Sequence, residues 1–427
     1  YSVARVRVEG IFRKLGGLHS AEEVMRRLES YCPFRALALS PGHQQRLESM
    51  EQFFEVLGFM KEGGTFMDAE RRFGIDNGTV GRWFRGKCVP FLVHLAMRIP
   101  EENPGSGCMW LPVKLKPGRG FRPDEFIRVP ITIDNWRQVK EVLSQISALK
   151  NKDMRKWIQR FGETSQEEAL AYLLGMMISD GGKPKLSCTS TGLDVTFSKG
   201  YEWSERVGEA VCYYLGLLGI RAGRYVSPYV KEKSLNMWVS EKSPLITWMM
   251  QTCLGLRPGD VTTYNPVRAD WILKAPNNIR LRFLHGLSDG DGHAKVGSQL
   301  VGITCIANRD YVQKLLHSFD IGSCFDRGSV NIIRVGCVQR AVGLPFFLHA
   351  VGRQEKAEKI GEMLRVRSDQ KQRRRIPCGV LRRIVELRNE GRSYGEISEV
   401  IFNEYNRSYS RSTILKIIRR TKAAEGS

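Results

Sequence analysis

Two stretches decide how this chain is read: Leu173-Leu-Gly-Met-Met-Ile-Ser-Asp-Gly-Gly182 and, in altered form, Leu284-His-Gly-Leu-Ser-Asp-Gly-Asp-Gly292. Each is an apolar run with an internal glycine that closes on Asp-Gly, which predicts a buried helix and the turn that ends it. Gly175 and Gly286 lack side chains, so two such helices can approach closely along a shared axis despite a propensity cost of roughly 1 kcal/mol each. Gly181 and Gly292 suit the helix C-terminal cap, where the chain turns out through a left-handed conformation. If the helices pack in parallel, Asp180 and Asp291 arrive at the same end of the interface. Carboxylates there, beside the partial negative charge of two helix ends, repel each other unless a cation neutralises them. Such a pair is a candidate divalent-metal site, suited to phosphodiester hydrolysis in which metal ions activate water and stabilise the leaving oxygen. For one motif alone a plain helix-stop turn would be the better explanation; two copies, each followed by strands and a helix, favour the site.

The two aspartates are 111 residues apart, enough for one αββαββ unit. After the first motif, residues 185–189 and 193–198 predict strands, 203–218 a helix, 225–230 and 235–239 a second hairpin, and 244–253 a closing helix. After the second, 300–306 predicts a strand, 310–319 a helix, 331–338 a strand and 344–352 the closing helix. The expected fold class is therefore α+β, a pseudo-symmetric pair of αββαββα repeats over 163–268 and 269–366. Asp289 is a third acid in the second motif, matched by Ile178 in the first. Without a counterpart, it reads as a local cap or hydrogen-bonding group rather than a ligand.

The paired motifs and the order of elements around them resemble the LAGLIDADG homing endonuclease family in its single-chain, two-motif form, over about residues 163–366. The resemblance implies two sheets forming a saddle over double-stranded DNA, with exposed strand residues reading the major groove. It implies Mg²⁺ or another divalent cation held by Asp180 and Asp291 at the scissile phosphates. It also implies an assisting cation shortly before each closing helix, for which Lys242 and Arg340 are the candidates. Family members often carry Gln near the end of the second strand, where this chain has Ser198 and Ala307 or Asn308. Repeats that differ from each other imply an asymmetric target and a site that one chain completes, hence a monomer, and the family is hosted by introns or inteins. Two other functions belong to related folds and stay open at this point. One is a non-cleaving DNA-binding regulator fused to helix-turn-helix domains; the other is an RNA-splicing maturase acting on structured intron RNA.

Composition agrees with a polyanionic partner. Against 45 Asp and Glu stand 66 Lys and Arg, a net charge of +21 and a pI near 9.7, which points to nucleic acid or an acidic membrane surface. Apolar runs fall far short of the roughly 18 residues that span a bilayer. No basic segment followed by an apolar run opens the sequence, so an intracellular protein, cytoplasmic or nucleoid-associated, is expected. The charge is concentrated: residues 111–160 carry 12 basic and 5 acidic residues, and residues 371–420 carry 13 and 5. Two such concentrations on either side of the paired motifs suggest phosphate-tracking arms.

Residues 1–105 read as helical, and Thr65 to Lys87 resembles a helix-turn-helix. Gly74 allows the tight turn, Asp76 caps the next helix, and Val80, Trp83 and Phe84 return at helical spacing to pack on Phe73. Asn77, Thr79, Arg82, Arg85 and Lys87 are then the candidate nucleic-acid contacts. Glu70 occupies a position where such motifs usually keep a small residue, and a plain helical hairpin is the alternative. Residues 106–162 form a basic strand-helix connection with a turn at 117–120, and 367–427 a basic tail with three apolar stripes. Ser393 and Ser410 are natural N-caps in that tail, which resembles recombinase-type helix-turn-helix domains. Arg411, Ser412, Lys416, Arg419 and Arg420 are its candidate groove and phosphate contacts. Ten cysteines without a CxxC, and seven histidines without HxxxH or HExxH, predict reduced, buried thiols and no structural zinc.

Overall fold

Ser165 starts the first motif helix, Gln166–Ile178, by accepting the amide of Glu168 at 3.1 Å, with Glu167 and Glu168 placed where the helix dipole favours negative charge. From Ala169 to Ile178 every residue is buried, so the helix has no polar face and lies inside the molecule. The second motif helix, Asn277–Asp291, buries Phe283 through Gly290 without a break. The computed structural model describes all residues except 1, 32–41, 113–114, 117–121, 124–125, 181–190, 227, 258–259, 261–264, 374–375, 406, 408 and 426–427. It divides into two units, residues 1–360 and 361–427.

The first unit opens with a helical layer whose core includes Val8, Leu28, Phe53, Val80 and Trp83. There Phe66–Phe73 and Asn77–Phe84 form the expected pair of short helices. Gly74 takes φ 68° and returns its N–H to Glu70 O, and Asp76 Oδ1 accepts the amide of Thr79 at 2.8 Å. Next come β1 (Cys108–Pro112), β2 (Leu115–Lys116), β3 (Arg122–Pro123) and β4 (Phe126–Pro130), with β1 antiparallel to β4 and β2 to β3. The expected turn at 117–120 lies outside the described residues. Asn135 and Gln138 then form a capping box on the helix Trp136–Leu143.

Each motif helix is followed by a small antiparallel sheet. The first contains β5 (Asp194–Ser198), β6 (Ala222–Tyr225) and β7 (Leu235–Ser240), in the order β5-β7-β6. The second contains β8 (Gly292–Lys295), β9 (Leu300–Thr304), β10 (Cys324–Asp326) and β11 (Ser329–Ile332), in the order β10-β11-β9-β8. Helices Ser204–Leu217 and Arg309–His317 lie between the strands in sequence, as expected. The strand expected at 185–189 falls outside the described residues.

Several expectations are corrected. The strand placed at 225–230 ends at Tyr225, and Pro228–Glu232 is a short helix, because Pro228 lacks the N–H a strand ladder needs and suits a first helical turn. The closing helix expected over 244–253 is α-helical only for Pro244–Trp248 and continues as a π turn, Met249–Cys253. In the second half, Val335–Gly343 is already helix; the strand predicted to reach 338 stops at Ile332, and Pro345 sits past the helix end rather than inside one. Cys88 and Cys324 are exposed, whereas Cys212, Cys253, Cys305 and Cys337 are buried as expected.

The second unit has its own core of Val380, Ile384, Leu387, Ile397, Ile401, Ile414, Ile417 and Ile418 on helices Cys378–Asn389, Tyr394–Tyr405 and Arg411–Glu425. Ser393 and Glu396 exchange a reciprocal capping box, and Ser410 Oγ accepts the amide of Thr413 at 3.3 Å. Among the described residues no helix is long and apolar enough to cross a membrane.

Candidate active site

Gly175 and Gly286 sit where the motif helices touch backbone to backbone. A Cβ added at Gly175 would overlap Phe283 O and lie 2.8 Å from Leu287 N; one at Gly286 would overlap Tyr172 O and lie 2.9 Å from Met176 N. Farther along, a Cβ at Gly290 would overlap Ser179 Oγ and lie 3.1 Å from Asp180 N. Contacts thus advance together along both helices, which run parallel and deliver Asp180 and Asp291 to one end. Ser179 tucks its hydroxyl back onto Gly175 O and Met176 O at 3.2 and 3.1 Å, which keeps that end narrow. Gly292 departs from its expected role: it is extended, at φ −74° and ψ 153°, not left-handed. What excludes a side chain there is space, since a Cβ would overlap Ser288 O and meet Phe347 Cε1 at 2.6 Å.

The end of the pair is electrostatically strained. Burial raises Asp180 above the ordinary carboxylate range, with the charge of Arg353 opposing. Asp291 is pushed up to about 7, first by burial and then by the charge of Asp180, again with Arg353 opposing. Both acids at this end are held towards their neutral form, chiefly by burial.

Arg353 was not singled out in the sequence, and no motif there marks it. Its Nη1 donates to the carbonyls of Gly290 at 2.7 Å, Asp289 at 2.8 Å and Ser288 at 3.4 Å, and its guanidinium lies 4.2 Å over the Trp203 ring. Asp289 answers from the other side. Its buried carboxylate accepts Tyr172 Oη at 2.8 Å and the amides of His349 and Ala350 at 2.9 and 3.0 Å, directly before the helix Val351–Arg373. Asp289 is therefore the hydrogen-bonding group its missing counterpart suggested; burial raises it to about 6 against those three bonds.

The other candidates are dispersed. Lys242 is exposed in the segment just before Pro244–Trp248, as expected, while Arg340 is exposed within the helix Val335–Gly343 rather than ahead of one. Among the described residues Arg353, rather than Lys242 or Arg340, is a cation whose charge is felt at both Asp180 and Asp291. Ser198 is exposed at the end of β5, whereas Asn308 is buried and accepts the amide of Val267 at 2.9 Å, a structural role. In the N-terminal helices Asn77, Arg82, Arg85 and Lys87 are exposed and Thr79 half-buried; Arg82 donates to Thr79 Oγ1 and Arg85 to Gly81 O. In the second unit Arg411, Ser412, Lys416 and Arg419 are exposed, and the Arg420 side chain lies outside the described residues.

No family profile and no curated protein matches this chain. Among solved structures it is similar to the crystal structure of I-DmoI in complex with DNA and Mn, at 15% identity and a TM-score of 0.32, over 42% of this chain and 97% of that one. It is also similar to an I-DmoI variant in complex with its target DNA, nicked in the coding strand, in the presence of Mn, at 14% identity and a TM-score of 0.31, over 42% and 96%. Mesophilic variants from the homing endonuclease I-DmoI match at 14% identity and a TM-score of 0.30, over 41% and 94%.

Proposed function

We propose that this protein is a site-specific, metal-dependent endonuclease of double-stranded DNA, of the LAGLIDADG homing type. Its catalytic body would be a pseudo-symmetric pair of repeats, residues 163–268 and 269–366, preceded in sequence by a helical region at 1–105 and a basic strand-helix connection at 106–162 and followed by a basic helical tail at 367–427. The observation that carries this is the glycine-to-backbone contact that brings Asp180 and Asp291 to one end of two parallel buried helices. The strand order supports it, because β6-β7-β5 after the first motif has the same sequence logic as β10-β11-β9 after the second.

The donor set fits a hard divalent cation such as Mg²⁺. Such an ion commonly takes one or two carboxylates and completes its shell with water and substrate phosphate. Among the described residues no group of three or more His, Cys, Asp or Glu side chains is placed to hold a metal ion. When bound, the cation supplies Lewis acidity at the phosphate and a more acidic water. Asp180 and Asp291 would hold it, and the buried helix contact would fix their separation. Lys242 and Arg340 would stabilise charge on DNA phosphates from the exposed surface, and one chain would suffice as a monomer.

The test is cleavage of plasmid DNA carrying the native insertion site, in Mg²⁺. Asp180→Asn and Asp291→Asn should each lose cutting of at least one strand while binding is kept or tightened, because each removes a negative charge facing a phosphate. Tight binding by the wild type without any nick would instead support a regulator, and RNA binding insensitive to both substitutions a maturase.

A further inference from the structure

The two small sheets offer unlike faces. In the first, Asn236 and Trp238 of β7 point to the helix Ser204–Leu217: a Cβ at Gly208 would overlap the Trp238 ring, and Asn236 Nδ2 donates to Ser204 Oγ at 3.0 Å. Alternation along the strand therefore turns Leu235, Met237 and Val239 to the opposite face, where they are half-buried. The register sets Thr196 of β5 and Tyr225 of β6 on either side of Met237, and Tyr225 is 49% exposed. These residues make an apolar strip along the middle strand. Exposed cations stand at both its ends. At one, Lys199 donates its amide to Ser234 O at 2.9 Å, next to the exposed Lys233, with Glu232 for company. At the other are Arg221 and Lys242, with Glu241, whose amide donates to Arg221 O at 2.8 Å. The second sheet differs: the face opposite the fully buried Val301, Ile303, Val330 and Ile332 carries hydrogen-bonding groups, among them His293 and Asn331 on either side of Gly302.

We infer that Leu235, Met237 and Val239 are specificity residues that read thymine methyl groups in the major groove, so that the half-site under the first sheet is selected for thymines; this rests on the DNA reading proposed above. An apolar strip with cations at its ends is the complement of base edges rimmed by phosphates. Among the groups that base pairs present in the major groove, the thymine C5-methyl is the apolar one. Side chains without donors or acceptors gain by covering it, and they leave the amines and carbonyls of other bases without partners. Asp194, across from Val239 on the same face, suits an exocyclic amine such as that of cytosine at the end of the strip. The same chemistry favours DNA over RNA, since uracil lacks the methyl and the A-form major groove is too deep and narrow for side chains to read. The second sheet, with its hydrogen-bonding groups, reads donors and acceptors instead. The two half-sites are thus recognised by different chemistry.

The experiment uses the full chain and a duplex recovered by affinity selection from a random library. Each thymine of that duplex is replaced in turn by deoxyuridine, which removes the methyl and keeps the base pair. Wild-type binding should weaken by about two- to fivefold at thymines clustered on one side of the site's midpoint, the worth of one buried methyl, and change little on the other side. Met237→Gln and Val239→Thr should each erase the penalty at one or two of those positions and leave it at the rest, with thermal melts confirming that the variants fold. Should one variant not fold, the other and the deoxyuridine scan of the wild type decide the matter. Deoxyuridine tolerated at every position, or penalties that neither folded variant alters, would overturn methyl reading and leave site-specific DNA binding standing. A library from which no duplex is enriched would remove the DNA reading itself, and the methyl contacts with it.

Discussion

Asp291 shows at one residue what burying an acid beside another does to stability. Its carboxyl is raised from 3.8 to about 7, chiefly by burial and by Asp180. A group with a raised folded-state value binds its proton more tightly in the native protein than in the unfolded chain. Its stabilising effect is therefore complete below about pH 4, is lost as pH rises towards 7, and is absent above that. Metal-free protein should lose thermal stability across this window. Asp291→Asn should reduce that loss without abolishing it, because burial also raises Asp180 and Asp289. At pH 8 in a chelator the variant should be more stable than wild type. Mg²⁺ at pH 8 should raise the melting temperature of the wild type only. Calorimetric melts from pH 4 to 8, with and without Mg²⁺, check both points; an Asp291→Asn protein less stable at pH 8 would mean the acid is not strained.

At the scale of elements, the parallel helix pair leaves no room for side chains at its centre. Leu at Gly175 or Gly286 would have to displace main-chain carbonyls of the opposite helix, not a flexible side chain. Each substitution should cost at least the upper end of the about 1–3 kcal/mol typical of overpacking. Denaturant unfolding measures this directly, and wild-type stability in both variants would contradict the contact. This packing was legible in the sequence because a glycine inside an apolar helix is costly unless a neighbour needs the space, and two copies make the neighbour identifiable. Gly292 was misread for a related reason: a glycine after a helix predicts a left-handed cap, and only the structure shows that Phe347 and Ser288 demand its small size instead. Arg353 was not legible at all. Its value comes from where the helix Val351–Arg373 is laid down, which depends on long-range hydrogen bonds from Asp289 to the amides of His349 and Ala350. The start of the helix Val335–Gly343 was read as the end of a strand because Ile332, Ile333, Val335 and Val338 are β-branched and fit a strand's composition.

For the whole molecule, the +21 charge and its two concentrations set the expected response to salt. Neutralised phosphates release counterions, so affinity for DNA should fall steeply with ionic strength. The second unit has its own core, so its helical part can be removed without opening the core of the first. Deleting residues 371–427 should leave the first unit folded and flatten the slope of log affinity against log salt. An unchanged slope would show that the tail does not touch nucleic acid. The close backbone contacts made at Gly175 and at Gly286 have one more consequence at this scale. They work as a calliper whose jaws are Asp180 and Asp291 and whose setting is held by main-chain packing. On the proposed function, the offset between the two nicks, and so the length of the single-stranded ends left on the product, is fixed by the main chain. Recognition can then drift across the sheets from one target to another while the ends handed to DNA repair stay the same.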